Sequence, residues 1–486
     1  MAMRILQTAL ITLSCFLPSI SFAQTIALDE LLRSVQADHP LFRRETRNVA
    51  IERENQAATL AAQDWQITSS AVYAYQEPPG DDLFTPTSSQ NTDFHLGLVK
   101  PLWTTGGRFS LSFSEMYTDT DFRRLNFGGA KVSPGQPYAY GTSVYLAYSQ
   151  PLLRNAQGSL DRLDYELAQF TVEMAKIRAT EEQEKFLLDL ALRYLDWNLY
   201  FYQKDIVEER LRLAREQLEQ VRRRREMNLV EEVDVFRALD AVHAAEQLVV
   251  QIEARYSSIQ TELAEIALRE DLYDLSPEYD LYAEAEIPDA DNVVSKILDR
   301  SRLLKALDVS RQQLKRQLGG AEETHDPDLS LDLGYGMQRR MDGFFDALAV
   351  TKPDAFVALN LSFPLGRREA KAQIQKTQLM ILQVEDRMRE TEIQLESALR
   401  SLLIDMEMSM EIRGLDRRRI ESARQKAAEE LKLYNQGRGQ LTFVISARDD
   451  VERAELNLTQ SALAYQKLML QYRELMDELL PLSSAG

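Results

Sequence analysis

The chain repeats one order of segments, in which short alternating stretches stand between very long helical ones. Tyr148-Ser149-Gln150-Pro151-Leu152 in the first half matches Leu361-Ser362-Phe363-Pro364-Leu365 in the second half. Further on, Arg225-Glu226-Met227-Asn228-Leu229 matches Tyr434-Asn435-Gln436-Gly437-Arg438, and each interrupts helical periodicity with a turn-forming Asn or Gly. Two matches at nearly the same separation indicate an internal duplication. Strands set between such long helices predict a tube rather than a globule.

The long helical stretches carry apolar residues at alternating steps of three and four. In the last helix these positions are Val444, Ala447, Val451, Ala454, Leu458, Ser461, Tyr465, Leu468, Tyr472 and Leu475. Three other seams have the same spacing: Leu160, Leu163, Leu167, Phe170, Met174 and Ile177; Ala245, Val249, Ile252, Tyr256, Ile259 and Leu263; Ile381, Val384, Met388, Thr391, Leu395, Ala398 and Leu402. This spacing is typical of coiled coils. Helices of about 50 to 70 residues extend on the order of 75 to 100 Å, so the pattern predicts coiled-coil hairpins or an α-helical barrel.

The strands carry a period of two instead. The candidate strands are Gln66 to Gln76, Thr92 to Pro101, Arg108 to Tyr117, Tyr140 to Gln150, Asp328 to Met337 and Pro353 to Pro364. Their alternation fits the lipid-facing and lumen-facing sides of an outer-membrane barrel strand, although a half-buried soluble sheet alternates in the same way. Aromatic residues near the strand ends favour the membrane interpretation. So few strands cannot close a barrel from one chain, so closure requires oligomerisation.

The first 23 residues have the pattern of a signal peptide. Arg4 precedes an apolar stretch from Ile5 to Leu17, and small residues precede Gln24. The apolar stretch is too short for a membrane anchor. Cys15, the only cysteine, lies inside this segment, and a lipoprotein cut before it is the less favoured alternative. The exported chain therefore has no thiol for disulfides or metal sites.

The charge of the chain disfavours nucleic acid as a partner. Removal of the signal peptide, which contains one basic and no acidic residue, leaves 56 basic residues against 76 acidic ones. Such an excess of negative charge repels nucleic acid and anionic lipid surfaces.

We divide the chain into five parts. They are the signal peptide (1–23), a first repeat with an extra hairpin (24–270), an acidic inter-repeat linker (271–291), a second repeat (292–482) and a short C-terminal tail (483–486).

The sequence offers no candidate for catalysis, for a metal or for a cofactor. His39, His95, His243 and His325 are scattered without ligand spacing. Neither a phosphate loop nor a dinucleotide fingerprint occurs. Met406, Met408 and Met410 could suggest a copper site, but methionine more often fills gaps in a core. We therefore expect a protein that is not an enzyme.

The chain resembles the outer-membrane efflux protein family, the TolC-like outer membrane factors. The resemblance is carried by Gln150-Pro151-Leu152 at a strand end, by Asn228-Leu229-Val230 followed by Val233-Asp234-Val235, and by Tyr434-Asn435-Gln436-Gly437. It implies a mainly α fold with a membrane β domain, in which coiled-coil hairpins form a periplasmic α-barrel and trimerisation completes an outer-membrane β-barrel. It also implies a Gram-negative-type bacterium as the source.

The resemblance further implies the role and the partners of such a trimer. It would be the exit channel of a tripartite efflux or secretion system, conducting small molecules or proteins passively. A periplasmic adaptor and an inner-membrane pump, of RND or ABC type, would open its closed periplasmic end. The alternative from another class is a structural or adhesive periplasmic coiled-coil trimer without channel activity.

The resemblance assigns roles to individual positions at the helix ends. Asp234 and Tyr434 match a pair that holds the end closed between coiled coils, although Asp234 can also be a plain helix-start charge. Adaptor contacts are expected at Asn228, Leu229, Gly437 and Arg438. Phe443 and Ser446 occupy the constriction positions, which are acidic in the family, so an apolar Phe443 ring is expected instead.

Two further features lie near the helix ends. At the position of Gly439 the type member has an arginine that latches the end closed. The run from Arg222 to Arg225 either docks an adaptor or forms a solvated face.

Overall fold

The computed structural model describes residues 24–79, 85–123, 125–128, 130–132 and 138–480. The predicted signal peptide with Cys15 and the predicted tail lie outside the described residues. Two compact units are present. The helical unit comprises the described parts of Met1–Arg43, Gln183–Ile297 and Glu396–Gly486, and the sheet unit comprises those of Arg44–Glu182 and Leu298–Leu395.

The described chain is mainly helical, with one large sheet. The helices are α1 (Leu28–Asp38), α2 (Pro40–Ala58), α3 (Leu163–Glu226), α4 (Glu232–Ala267), α5 (Ala290–Arg300), α6 (Arg302–Thr324), α7 (Phe344–Leu348), α8 (Arg368–Asn435) and α9 (Leu441–Leu475). The strands are β1 (Gln24–Ala27), β2 (Gln66–Gln76), β3 (Pro86–Leu102), β4 (Gly107–Phe122), β5 (Leu125–Phe127), β6 (Ala130–Val132), β7 (Tyr138–Pro151), β8 (Leu275–Glu278), β9 (Asp328–Met341) and β10 (Lys352–Ser362). Two helices, sheet strands and two long helices follow one another twice, which confirms the duplicated fold.

The sheet unit holds a six-stranded antiparallel sheet in the order β10-β9-β7-β4-β3-β2. All six predicted strands lie in it, so the extra hairpin of the first repeat joins the sheet. One register row runs from Phe109 through Tyr148 and Leu333 to Val357. Because each strand is antiparallel to its neighbour, the two edge strands, β2 and β10, are antiparallel to each other.

The two faces of this sheet differ in chemistry. The register places on one side, the apolar face, Ile67, Leu96, Leu98, Leu111, Phe113, Val144, Leu146, Leu333, Tyr335, Val357, Leu359 and Leu361. The opposite side, the polar face, carries Ser110, Ser112, Ser114, Ser143, Ser149, Asp332, Gly334, Gly336 and Asn360. Many apolar-face side chains are exposed in one chain, Val357 at 74% and Leu361 at 68%. The predicted alternation is therefore present over the whole sheet.

In α9 four of the ten predicted seam positions are buried and the other six are half-buried; the buried ones are Val444, Ala447, Ala454 and Tyr465. In α8 the prediction is wrong at one position, because Ala398 is exposed and the neighbouring Leu399 is buried. A straight helix turns every 3.6 residues, so a strict repeat of 3.5 drifts around its surface.

The core of the helical unit encloses Tyr194, which joins two chain segments far apart in sequence. Its hydroxyl donates to the Ile26 carbonyl (2.8 Å) and accepts from the Glu278 amide (3.0 Å). These residues belong to β1 and β8, which pair in parallel. Burial raises the pKa of the Tyr194 hydroxyl, so it stays a neutral donor.

The inter-repeat linker packs against α8 and α9 within the helical unit. Gln466 donates from Nε2 to the Leu281 carbonyl (3.2 Å) and the Ala283 carbonyl (2.8 Å). The fully buried Arg413 donates from Nη2 to the Tyr282 carbonyl (2.7 Å). Side chains thus supply the partners that this irregular backbone needs.

We predict that Tyr194→Phe loosens the pairing of β1 with β8. Loss of the hydroxyl leaves a buried carbonyl and a buried amide without their partner, at a cost of about 1 to 3 kcal/mol. Amides of residues 275–278 should then exchange roughly tenfold faster or more, since 1.4 kcal/mol is one decade. Mass spectrometry of peptides after hydrogen–deuterium exchange measures this.

The matched control is Tyr273→Phe, because the Tyr273 side chain is 48% exposed. Exposed substitutions of this kind usually change stability by less than about 0.5 kcal/mol. Equal exchange in the two variants would contradict the role of the Tyr194 hydroxyl.

Candidate functional site at the paired helix ends

The two long hairpins of the helical unit turn in the same way. At the end of α3 the Asn228 amide donates to the Arg225 carbonyl and the Leu229 amide to the Arg224 carbonyl, both at 2.9 Å. At the end of α8 the Gly437 amide donates to the Tyr434 carbonyl and the Arg438 amide donates to the Leu433 carbonyl, both at 3.0 Å. These are two Schellman caps. We call the residues 221–235 the first tip and 431–446 the second tip.

Both caps need a residue in the left-handed region. Asn228 has φ 57° and Gly437 has φ 72°, and Asn is the side-chain-bearing residue that tolerates this region best, together with Asp. A Cβ at Gly437 would meet nothing within 4 Å, so only the backbone angle calls for glycine there.

Gly439 is required for a different reason. A Cβ at this position would lie 2.8 Å from the Tyr434 backbone nitrogen. The second tip in this conformation therefore has no room for a side chain at the position where the type member of the resembled family carries its arginine.

A polar residue occurs every seventh position along α3, in line with the tips. The series is Asp196, Gln203, Arg210, Gln217 and Arg224. Asp196 pairs with Lys467 of α9 (2.7 Å), and Gln203 donates to the Thr459 hydroxyl (3.2 Å). We call this series the polar ladder. Polar residues at heptad positions fix the register of paired helices, so the ladder residues that contact the second hairpin set how the first hairpin sits on it. Gln217 is buried, and its side-chain amide has no hydrogen-bond partner among the described residues.

Arg210 is the charged centre of the ladder. Its buried guanidinium pairs with Asp449, and its Nε lies 3.4 Å from the Glu452 carboxylate. Burial raises the pKa of Glu452, and the Arg210 charge opposes that rise. A buried arginine with two carboxylates would be costly to separate.

Arg224 connects the two tips of one chain. Its guanidinium lies 4.5 Å from the centre of the Tyr434 ring. It donates to the Tyr434 carbonyl (3.3 Å) and to the Asn435 side-chain oxygen (2.9 Å). A cation is thus placed at the C-terminal end of α8, where the helix dipole favours positive charge. The first hairpin supplies this cation to the second.

The neighbouring Arg225 acts within its own tip. It donates to the Asn228 side-chain oxygen (3.1 Å) and pairs with Glu232 (3.0 Å). Arg224 of the arginine run therefore contacts the other hairpin, whereas Arg225 contacts its own tip. Docking of an adaptor on this run stays a prediction.

The predicted latch residues lie in different surroundings. Tyr434 is 5% exposed in the tip core with Leu218 and Val221, and its hydroxyl has no hydrogen-bond partner among the described residues. Asp234 stands in the first turn of α4 and pairs with Arg237 (2.9 Å). Within the described part of one chain no hydrogen bond joins Asp234 to Tyr434, so a latch would have to form between neighbouring chains.

The remaining predicted site residues lie on the surface. Asn228, Leu229, Gly437, Arg438 and Ser446 are exposed. Phe443 is 54% exposed. Met227 in the first tip is 61% exposed, and Phe236, directly after the tip, is 60% exposed. These side chains can bind a partner or narrow a passage, and they include no nucleophile with an adjacent base.

Among the described residues, no helix is both long enough and apolar enough to cross a membrane.

No protein-family model matches the chain, and no curated protein matches it. Solved structures do. The outer membrane protein VceC of Vibrio cholerae is 11% identical, with a TM-score of 0.65, over 93% of this chain and 96% of that one. The Campylobacter jejuni CmeC outer membrane channel is 12% identical, with a TM-score of 0.64, over 93% of this chain and 85% of that one. The open state of the Neisseria gonorrhoeae MtrE outer membrane channel is 13% identical, with a TM-score of 0.64, over 93% of this chain and 89% of that one. The chain therefore has the fold of these outer membrane proteins, the TolC-like fold.

We predict that Arg224→Ala frees the end of α8. Hydrogen bonds from a charged donor contribute about 1.5 to 3 kcal/mol, and partial exposure of this site should reduce that to about 1 kcal/mol. Amides of residues 431–438 should exchange several-fold faster, as measured by hydrogen–deuterium exchange.

Arg225→Ala is the matched control, since it removes the same side chain one residue along. It should speed exchange at residues 227–232 and leave 431–438 unchanged. A uniform effect of both variants on both tips would contradict the separate roles of these arginines.

Proposed function

We propose that the chain is one subunit of a trimeric outer-membrane exit channel. The observation that carries this proposal is the six-stranded sheet, which has an apolar face and two edges that pair with no other strand among the described residues. Backbone groups at an open edge cannot remain unpaired in hydrocarbon. Pairing of β2 in one copy with β10 in the next keeps every neighbour antiparallel, and three sheets of six strands give an eighteen-stranded barrel.

The long helices support the same proposal. Four apolar side chains on α8 are 52% or more exposed in one chain: Leu382, Ile393, Ile404 and Leu415. They recur every eleven residues and form a stripe that neighbouring copies would cover. Three copies of the two hairpins would form the periplasmic α-barrel.

The tips would form the periplasmic entrance and contact the partners. The exposed tip residues Asn228, Leu229, Gly437 and Arg438 would meet a periplasmic adaptor, and an inner-membrane pump of RND or ABC type would supply the energy. Phe443 and Ser446 would line the constriction. The solute moves passively, so the chain itself needs no cofactor and performs no catalysis.

A structural or adhesive trimer is the rival function. It could use the sheet for trimerisation, but it would not need apolar side chains across all six strands on one face. The apolar face therefore favours the channel.

Reconstitution into planar lipid bilayers tests the proposal. The purified protein should produce discrete conductance steps, and its excess of acidic residues should make the pore prefer cations. Stable trimers that insert into the bilayer without any conductance, including in the variants described next, would favour the rival.

We predict that Tyr434→Phe and Asp234→Ala each raise the conductance. If the two side chains join neighbouring hairpins, the bond contributes roughly 1.5 to 3 kcal/mol, so its loss should raise the open population by about ten- to a hundredfold. The double variant should add little beyond either single variant, because both remove one interaction.

The stability of the Tyr434→Phe variant shows whether the latch exists. Tyr434→Phe removes a hydroxyl that is buried without a partner in one chain, so without a latch it should be neutral or stabilising. Unchanged conductance with unchanged or higher stability would contradict the latch.

A further inference from the structure

The short helix α7 lies on the apolar face of the sheet. Phe344 packs edge-on against Tyr140, with ring centres 5.7 Å apart. Tyr140 shares the apolar face because it pairs with Tyr117 and Met341 in the same register row. Ala347 of α7 is fully buried. The connection between β9 and β10 is therefore folded back onto the outward side of the strands.

Arg339 fastens the end of α7 to the sheet. It stands on the apolar face opposite Thr142, and its Nη1 donates to the Ala349 carbonyl just after the helix (2.9 Å). A cation at this helix end is favourable. The contact also gives a charged side chain on an apolar face a polar partner.

The free side of α7 is strongly apolar. Phe345 is 83% exposed, Phe344 is 41% exposed and Leu348 is 39% exposed. The rings of Phe344 and Phe345 lie 5.3 Å apart, and Tyr140 and Tyr117 lie 4.8 Å apart. Four aromatic rings thus form a continuous cluster that extends away from the sheet.

The register gives the level of this cluster along the strands. The apolar rows run from Leu361 up to the row of Phe113 and Val144, and the next row contains Glu115 and Thr142. Tyr117 and Tyr140 occupy the row after that. The cluster therefore lies where the apolar rows end, which is the level that aromatic side chains occupy at a membrane interface.

We propose that α7 is an interfacial anchor, which inserts Phe345 and Leu348 among outer-membrane lipids at the boundary between acyl chains and headgroups. The proposal rests on the proposed function, because it requires the apolar face to lie in the bilayer. Its surface is continuous with that face. A neighbouring copy pairs in the plane of the sheet at β10 and leaves the outward side free for lipid. The anchor fixes how deep the sheet sits.

Site-directed spin labelling tests this inference. Cys15 is the only cysteine, so in a Cys15→Ser background each introduced cysteine is the single labelling site. Phe345→Cys is the test position. Leu146→Cys, in the middle of the apolar face, is the lipid reference, and Ser112→Cys, on the polar face, is the water reference. Collision with oxygen and with a water-soluble nickel chelate is measured in lipid vesicles.

The label at residue 345 should show a higher oxygen-to-nickel collision ratio than at 112 and a lower one than at 146. A ratio equal to that at 112 would overturn the anchor. Weak collision with both reagents would mean that protein covers α7, which would also overturn it. A water-like ratio at 146 would instead refute the proposed membrane location of the sheet, so the two failures are distinguishable.

Discussion

The backbone groups at the two edges of the sheet determine how this chain can assemble. One chain supplies six strands to the sheet, and the outer amides and carbonyls of β2 and β10 have no strand partner among the described residues. Water could satisfy these groups, but lipid cannot. In the proposed channel the apolar face lies in lipid, so the sheet would be complete only with further copies of the chain. The long helices, which alternate with these strands in the duplicated sequence, are then brought together by the same assembly.

The second organising interaction is the polar ladder on α3. Apolar heptad seams alone would let paired helices slide, since neighbouring registers bury similar side chains. Arg210 with Asp449 and Glu452 has one good register. Arg224 extends that register to the end of α8. A chain with two similar hairpins thus specifies how they meet.

The fold was largely predictable from sequence because its periods are long and clean. Alternation predicted every strand of the sheet, and the turn residues Asn228 and Gly437 predicted both tips. The contacts of Arg224 were not predicted, because an arginine run gives no information on which member faces another helix. The heptad spacing from Arg210 to Arg224 was the available signal. Sequence also could not show that Tyr434 and Asp234 make no contact within one chain. Tyr434 is buried in the tip core, whereas Asp234 pairs with Arg237.

The number of chains in the assembled protein tests whether β2 and β10 pair between copies. Native mass spectrometry of the detergent-extracted protein should give three chains, and cysteines placed on the outer edges of β2 and β10 should link neighbouring chains covalently into a trimer. Both results are expected, because the edges must pair with each other. A folded single chain, or a trimer in which these two edges never crosslink, would contradict it.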